Sequence, residues 1–307
     1  MKEYINEFLS YLEIEKNLTK NTILSYENDL IQFHNYLISF YEKNDYNINE
    51  IDQRVIRDYQ RHLLLNNIKK ISIGRKIAAI RSFFKFLVKR NYLSKNPSIG
   101  ITAPKIEKKL PVFVDEKSIE KMMRMPDTEL ITGLRDLAIL EIFYSTGIRE
   151  SELINLNFSD LYLSKNLIKV FGKGRKERII PIGSRAKALI EEYLERREEL
   201  FTEATTEEDK KYIFLSNHGK KFYRTGIYNI VKFYLTKAFG GEKCSPHVLR
   251  HTFATHLLNR GADIESVKQM LGHSSLSTTQ IYTHVSVDHL KKIYNKAHPK
   301  ANTDENK

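Results

Sequence analysis

Residues 246–282 read PHVLRHTFATHLLNRGADIESVKQMLGHSSLSTTQIY, and three kinds of reactive side chain recur in them. His247 and Arg250 lie three apart, so on a helix they project from one face. Pro246 suits a first helical position, where no backbone donor is needed. Gly261 stops this helix, Asp263 can cap the next, and Gly272 stops that one in turn. His273 follows directly, at a helix end, where turn geometry can aim a side chain into a cleft. Ser277 and Gln280 have capping-box spacing, which predicts a short helix carrying Tyr282. Two histidines, an arginine and a tyrosine brought together by tight helical turns can bind a phosphate and attack it.

The rest of the chain bears on that expectation. Its 307 residues exceed what one hydrophobic core usually serves, so two domains are expected. Apolar residues make up 41%, and no apolar run approaches the ~18 residues a membrane span needs. The N-terminus, MKEYINEF, has no apolar signal core, so export is not expected. Cys244 is the one cysteine, which excludes an internal disulfide and a cysteine-built metal site and fits a reducing, cytoplasmic setting.

Lys and Arg total 50 against 38 Asp and Glu, a formal charge of +12. Between Gln60 and Leu110 stand 13 Lys/Arg and a single acid, Glu107, so the whole excess lies in one stretch. A solvated face usually mixes signs; this one suits a polyanion, and nucleic acid in particular, because no amphipathic membrane-facing helix accompanies it.

Residues 1–95 read as four helices without a strand. Thr19 can cap a helix whose core face is Tyr26, Leu30, Phe33, Leu37 and Phe40; a second runs from about Asp52 to Leu65. A third, from about Ser72 to Lys89, buries Ile73, Ile77, Ile80, Phe84 and Leu87. Its Arg75, Lys76, Arg81, Lys85 and Lys89 are left for contacts with phosphates. Residues 96–111 (NPSIGITAPKIEKKLP) hold three prolines and read as a basic interdomain linker, in which Lys105, Lys108 and Lys109 favour phosphate. Two domains on such a tether can close around a duplex as a clamp.

A second domain spans 112–297. Asp115 caps its first helix, and Gly133 precedes an apolar helix, LRDLAILEIFYST, that Gly147 ends. Arg149 follows in the turn, and Glu152 opens the next helix. LIKVF and ERIIPI are β-rich runs separated by GKGRK, a hairpin signature with Lys173 at its tip. On these residues alone, an edge hairpin carrying lysines for solubility explains Lys173 equally well. An amphipathic helix follows from Ser184 to about Leu200, then further helices from about Arg224 to Ala238 and from Ser286 to Ala297. Phe201–Lys211 reads as a polar loop, and 298–307 as a disordered or partner-docking tail.

TGIRESEL around Arg149, GKGRKER around Lys173, HVLRHTFATHLL at 247–258 and LGHSSLSTTQIYTH at 271–284 resemble, in order and spacing, the motifs of the tyrosine site-specific recombinases, the phage-integrase family. The resemblance covers almost the whole chain, and the closing NKAHPKA is similar to the Xer type (XerC/XerD-like). It implies a mainly α fold with a small β-sheet or hairpin: an N-terminal helical core-binding, SAM-like domain and a C-terminal α+β catalytic domain. It implies Tyr282 as nucleophile on a scissile phosphate, giving a 3′-phosphotyrosyl link. Arg149 and Arg250 would hold the non-bridging oxygens, Lys173 would protonate the leaving 5′-oxygen, and His247 and His273 would assist. Glu152 and His251 would orient them. The implied partners are double-stranded DNA with a specific site, a homo- or heterotetramer with a paralogous recombinase, and an FtsK-type translocase. The implied role is resolution of chromosome dimers near the replication terminus during cell division. A mobile-element integrase, a type IB topoisomerase and a non-catalytic helix-turn-helix regulator are the alternatives.

Physical chemistry supports these residue types. A phosphodiester repels nucleophiles, and its transition state gathers charge on oxygens that two rigid guanidinium forks match better than lysines. An unperturbed tyrosine titrates near ~10 and needs cations or a base beside it. A departing alkoxide needs a general acid, which a lysine near other cations can provide. No Asp/Glu cluster has metal-ligand spacing, His247 and His273 lack a third zinc ligand, and Gly172-Lys173-Gly174 is not a phosphate-binding loop, so no cofactor is expected.

Overall fold

The computed structural model describes residues 1–43, 46–105, 112–172, 177–241, 244–272 and 284–301, the side chains of 284–286 excepted. The chain divides into two compact units, residues 1–109 and 110–307.

The first unit is built from α1 (Lys2–Ile14), α2 (Lys20–Tyr41), α3 (Gln53–Leu65) and α4 (Lys70–Lys89). Asp52 caps α3, accepting from the N–H groups of Arg54 and Val55 at 2.8 and 3.0 Å. Thr19 precedes α2 without a side-chain cap; its hydroxyl pairs with that of Thr22 instead. The 3.6-residue period sets the packing. Leu30, Phe33 and Leu37 of α2 meet Ile73, Ile77, Ile80, Phe84 and Leu87 of α4 in one buried cluster with Phe8 of α1 and Ile56 and Tyr59 of α3. Phe40, expected on that core face, falls in the last turn of α2 and is exposed.

Residues 96–105 depart from a solvated linker. Ile101 enters the core of the first unit, and Ser98 is buried. Gln53 donates to the carbonyl of Ile99 at 2.7 Å, Gln60 to that of Thr102 at 3.0 Å, and Arg81 to that of Ile101. Pro97 and Pro104 prevent a helix here, as expected, but side chains from α3 and α4 satisfy the extended carbonyls. Burial of Ile101, worth roughly 1.5–3 kcal/mol, then holds the segment down.

The second unit is arranged around α6 (Ile131–Thr146), whose residues from Gly133 to Thr146 are all buried except Asp136. Around it lie α5 (Glu116–Met123), α7 (Glu150–Ile154), α8 (Ser184–Arg196), α9 (Glu207–Lys210) and α10 (Arg224–Phe239). The short α9, inside the stretch read as a loop, is capped by Thr206, whose hydroxyl accepts from the Asp209 N–H. β1 (Leu161–Tyr162), β2 (Leu167–Phe171) and β3 (Glu177–Pro181) form an antiparallel sheet in that order, with Leu167 opposite Pro181 and Phe171 opposite Glu177.

A smaller apolar cluster joins α11 (Pro246–Asn259), α12 (Ile264–Leu271) and α13 (His284–Ala297) through Phe253, Leu257, Val267, Met270, Leu290 and Tyr294. Of the tail expected to be disordered or partner-docking, residues 298–301 are ordered against this chain's own α6 and α13. His298 stacks on Tyr294 and faces the carbonyl of Tyr144 at 3.2 Å, while buried Lys300 pairs with Glu141 at 2.9 Å. The tail is polar in sequence, yet its charge meets a carboxylate already buried in α6. Residues 302–307 lie outside the described residues. Among the described residues no helix is long and apolar enough to cross a membrane.

Candidate active site

Two glycines help to place the arginines expected at the site. Gly147 ends α6 with φ +58°, its N–H bonding back to Phe143, and a Cβ there would stand 2.5 Å from the Phe253 ring and 2.8 Å from Leu271. The tight turn delivers Arg149 as the N-cap of α7. Gly272 ends α12 at φ +65°, where a Cβ would press within 3.0 Å of the Arg178 side chain.

Three guanidiniums converge on the C-terminus of α12. Arg178 Nε donates to the carbonyl of Met270 at 2.8 Å, Arg250 Nη2 to that of Leu271, and Arg149 Nη2 to that of Gly272 at 3.0 Å. Successive carbonyls at a helix end carry partial negative charge, which favours cations there. Arg250 Nη1 also donates to the carbonyl of Gly147, so one side chain ties the ends of α6 and α12 together.

Glu152 is the counter-charge. Arg178 donates Nη1 and Nη2 to its two oxygens, each at 2.7 Å, a bidentate pair buried on both sides. Arg149 adds Nη1 at 2.9 Å and its backbone N–H at 2.8 Å. Burial alone would push the Glu152 carboxyl up; the Arg178 hydrogen bonds and charge, with those of Arg149, outweigh it and hold the group at about 2. Arg250 responds in the opposite direction. Burial, then repulsion from Arg149 and Arg178, lowers its pKa to about 9, with Glu152 only partly compensating. Three guanidiniums facing one carboxylate leave a positive excess suited to an anion.

Of the residues expected at the site, Arg149, Glu152 and Arg250 are brought together. His247 stands exposed in the first turn of α11, and His251 is half-buried on the same helix. Lys173, His273, Tyr282 and the Ser277–Gln280 capping signal lie outside the described residues. Among the described residues no group of three or more His, Cys, Asp or Glu is placed to hold a metal ion.

Arg178 was not expected. It sits in the run ERIIPI, where alternation puts it on the same inward face as Ile180. A charged residue on a core face must be paired, and that was the available signal.

The basic residues of the first unit separate into two groups. Lys85 and Lys105 are exposed. Lys89 is exposed but ion-pairs with Glu15 at 3.7 Å and lies over the Tyr11 ring. Arg75 is half-exposed beside Asp29, and Arg81 is engaged with the carbonyl of Ile101. The expectation that Lys76 is left for phosphates is corrected: its ammonium is buried, 3.0 Å from Asp29 and bonded to Gln32. Position 76 is on the inward side of α4, and the buried Asp29 of α2 requires a cation there. Lys108 and Lys109 lie outside the described residues.

A helical first unit is joined to a second unit that carries the clustered arginines and a small antiparallel sheet. The chain belongs to the phage integrase family: the model of that family matches residues 112–289, and the model of the phage integrase N-terminal SAM-like domain matches residues 5–91. It is 40% identical over 304 residues to a tyrosine recombinase XerC from Pelotomaculum thermopropionicum, covering 98% of this chain and 99% of the relative. It is 41% identical over 303 residues to a tyrosine recombinase XerD from Staphylococcus epidermidis, covering 98% and 100%. Among solved structures, a XerH site-specific recombinase bound to its difH substrate superposes with a TM-score of 0.68 at 23% identity, over 95% of this chain and 83% of that one. The chain is thus a tyrosine recombinase of Xer-like, site-specific character.

Proposed function

We propose that this chain cuts one strand of duplex DNA at a specific site with Tyr282 and rejoins it to a new partner. Its substrate would be a recombination site near the replication terminus, its task the resolution of chromosome dimers. The observation that carries the reading is the convergence of Arg149 and Arg250 on Leu271 and Gly272, the residues directly before the segment that holds His273 and Tyr282.

In this reading Arg149 and Arg250 exchange their present carbonyl partners for the non-bridging oxygens of the scissile phosphate. The exchange favours Arg250, whose guanidinium is disfavoured by burial and by like charges until an anion arrives. Removing one such contact costs about 10²–10³ in rate. The Tyr282 oxygen attacks phosphorus, the P–O5′ bond breaks, and Lys173 gives its proton to the departing 5′-oxygen. His247 and His273 assist proton transfer and hydrogen-bond the phosphate, and Glu152 keeps Arg149 in place. The energy of the broken bond is retained in the 3′-phosphotyrosyl link, so a 5′-hydroxyl of another strand reverses the reaction without ATP. Four subunits, identical or paired with a paralogue, would hold two duplexes for the exchange, with a septal DNA translocase as activator.

The test uses duplexes enriched from a random-sequence pool by binding to the full chain, then nicked so that the cut strand diffuses away. Wild-type protein should become covalently attached in SDS with EDTA present, and Tyr282→Phe should bind but not attach. Attachment that persists in the Phe variant would refute the nucleophile assignment.

A further inference from the structure

Behind Arg149 lies a second ion pair that the reaction as described does not use. Glu150, the next residue, is buried to 9% exposure in the first turn of α7. Its Oε2 accepts from Arg224 Nε at 2.8 Å, and its Oε1 is buried with no hydrogen-bond partner among the described residues. Arg224 opens α10, which packs against α7, and its side chain is 78% exposed. Among the described residues only its Nε has a hydrogen-bond partner, which leaves both Nη groups without one. The helix that it opens contains no Asp or Glu in its 16 residues, and its outward positions include Thr225, Asn229, Lys232 and Lys237.

An exposed guanidinium on a buried carboxylate is an unusual division of labour. Solvent screens the pair from one side, yet the carboxylate is committed to the interior with one oxygen unpaired, a costly arrangement for fold stability alone. A planar fork can hold one anion by Nε and a second by its Nη pair, which an ammonium cannot. The acid-free face of α10 is the setting in which that second anion would be a phosphate.

We propose that Arg224 bridges a DNA backbone phosphate and Glu150, so that seating the duplex on α10 fixes the turn that carries Arg149. Glu150 and Arg224 are then positioning residues, acting on the reaction through Arg149. This rests on the assignment of Arg149 to the scissile phosphate. In free protein the Arg149 turn is held by Glu152 on one side and, through Glu150, by a largely exposed Arg224 on the other; bound DNA fixes that second anchor.

The experiment separates seating from reaction. With the enriched nicked duplex, affinity is measured against salt, and the single-turnover rate of covalent attachment is measured at saturating DNA. Glu150→Gln, which does not touch DNA, should keep affinity and salt slope while attachment slows by about ten- to a hundredfold, the cost of a misplaced catalytic group. Arg224→Ala should slow attachment similarly and also lower the salt slope by about one unit. Arg224→Lys, exposed and safe for folding, should restore the slope but not the rate, and Glu150→Gln combined with Arg224→Ala should attach no more slowly than Arg224→Ala. A wild-type attachment rate in Arg224→Lys or in folded Glu150→Gln, or an unchanged slope in Arg224→Ala, overturns the proposal. If the wild-type chain itself fails to attach, the fault lies with the underlying assignment of Tyr282 and Arg149, since the bridge affects only the speed of a reaction that already occurs.

Discussion

Arg178 grips Glu152 with two hydrogen bonds of 2.7 Å, and Glu152 in turn holds both the backbone and the side chain of Arg149. Arg178 therefore sets the position of Arg149 from inside the sheet. Breaking a buried pair by removing one partner costs about 3–5 kcal/mol. Arg178→Met should lower the unfolding free energy by that amount in urea titration and slow covalent attachment, whereas Arg178→Met with Glu152→Leu should recover much of the stability but not the rate.

The C-terminal residues give a pH signature. Burial above all holds His298 neutral, with its folded-state pKa at about 3 against 6.5 unfolded. Below pH 6.5 the unfolded chain takes up a proton that the folded chain refuses, so the stabilisation present above 6.5 is lost progressively down to about 3. The full loss is on the order of 5 kcal/mol. Urea unfolding at pH 7 and pH 4 should show a smaller difference for His298→Gln than for wild type.

Gly147 permits no side chain. Its φ of +58° and the Phe253 ring 2.5 Å from a would-be Cβ add strain to overlap. Gly147→Ala should cost roughly 2–4 kcal/mol of stability, measured by thermal unfolding, and should slow attachment because Arg250 bonds to this residue's carbonyl.

Exposed and buried lysines of the first unit should behave differently. Lys85→Glu with Lys89→Glu should weaken DNA affinity and reduce its salt slope by about two units, while Lys76→Met should lower stability and leave the slope unchanged. Filter-binding titrations between low and moderate salt distinguish the two.

Local signals were readable wherever local chemistry decides the structure. Asp52, Asp115 and Asp263 cap the helices whose starts they mark, and Gly147 and Gly272 end helices in left-handed turns. The arginine pair Arg149 and Arg250 was recognisable from its motifs. Apart from the short α9 and the cap expected of Thr19, what escaped reading depends on partners distant in sequence. Arg178 is buried because Glu152 and Met270 meet it, 26 and 92 residues away. Lys76 looks like any basic residue on a helix until Asp29, 47 residues earlier, appears beside it. Lys300 reads as a tail residue until Glu141 receives it across 159 residues. Periodicity reports which face is apolar; it does not report that an inward charge has found its counter-charge.

The central claim is that the Tyr282 oxygen becomes bonded to a DNA 3′-phosphate held by Arg149 and Arg250. The most direct measurement is mass spectrometry of the covalent adduct after protease and nuclease digestion. The account predicts a peptide containing residues 281–284 that carries a nucleotide on Tyr282 through its 3′-phosphate. A nucleotide on any other residue, or one linked through a 5′-phosphate, would contradict it.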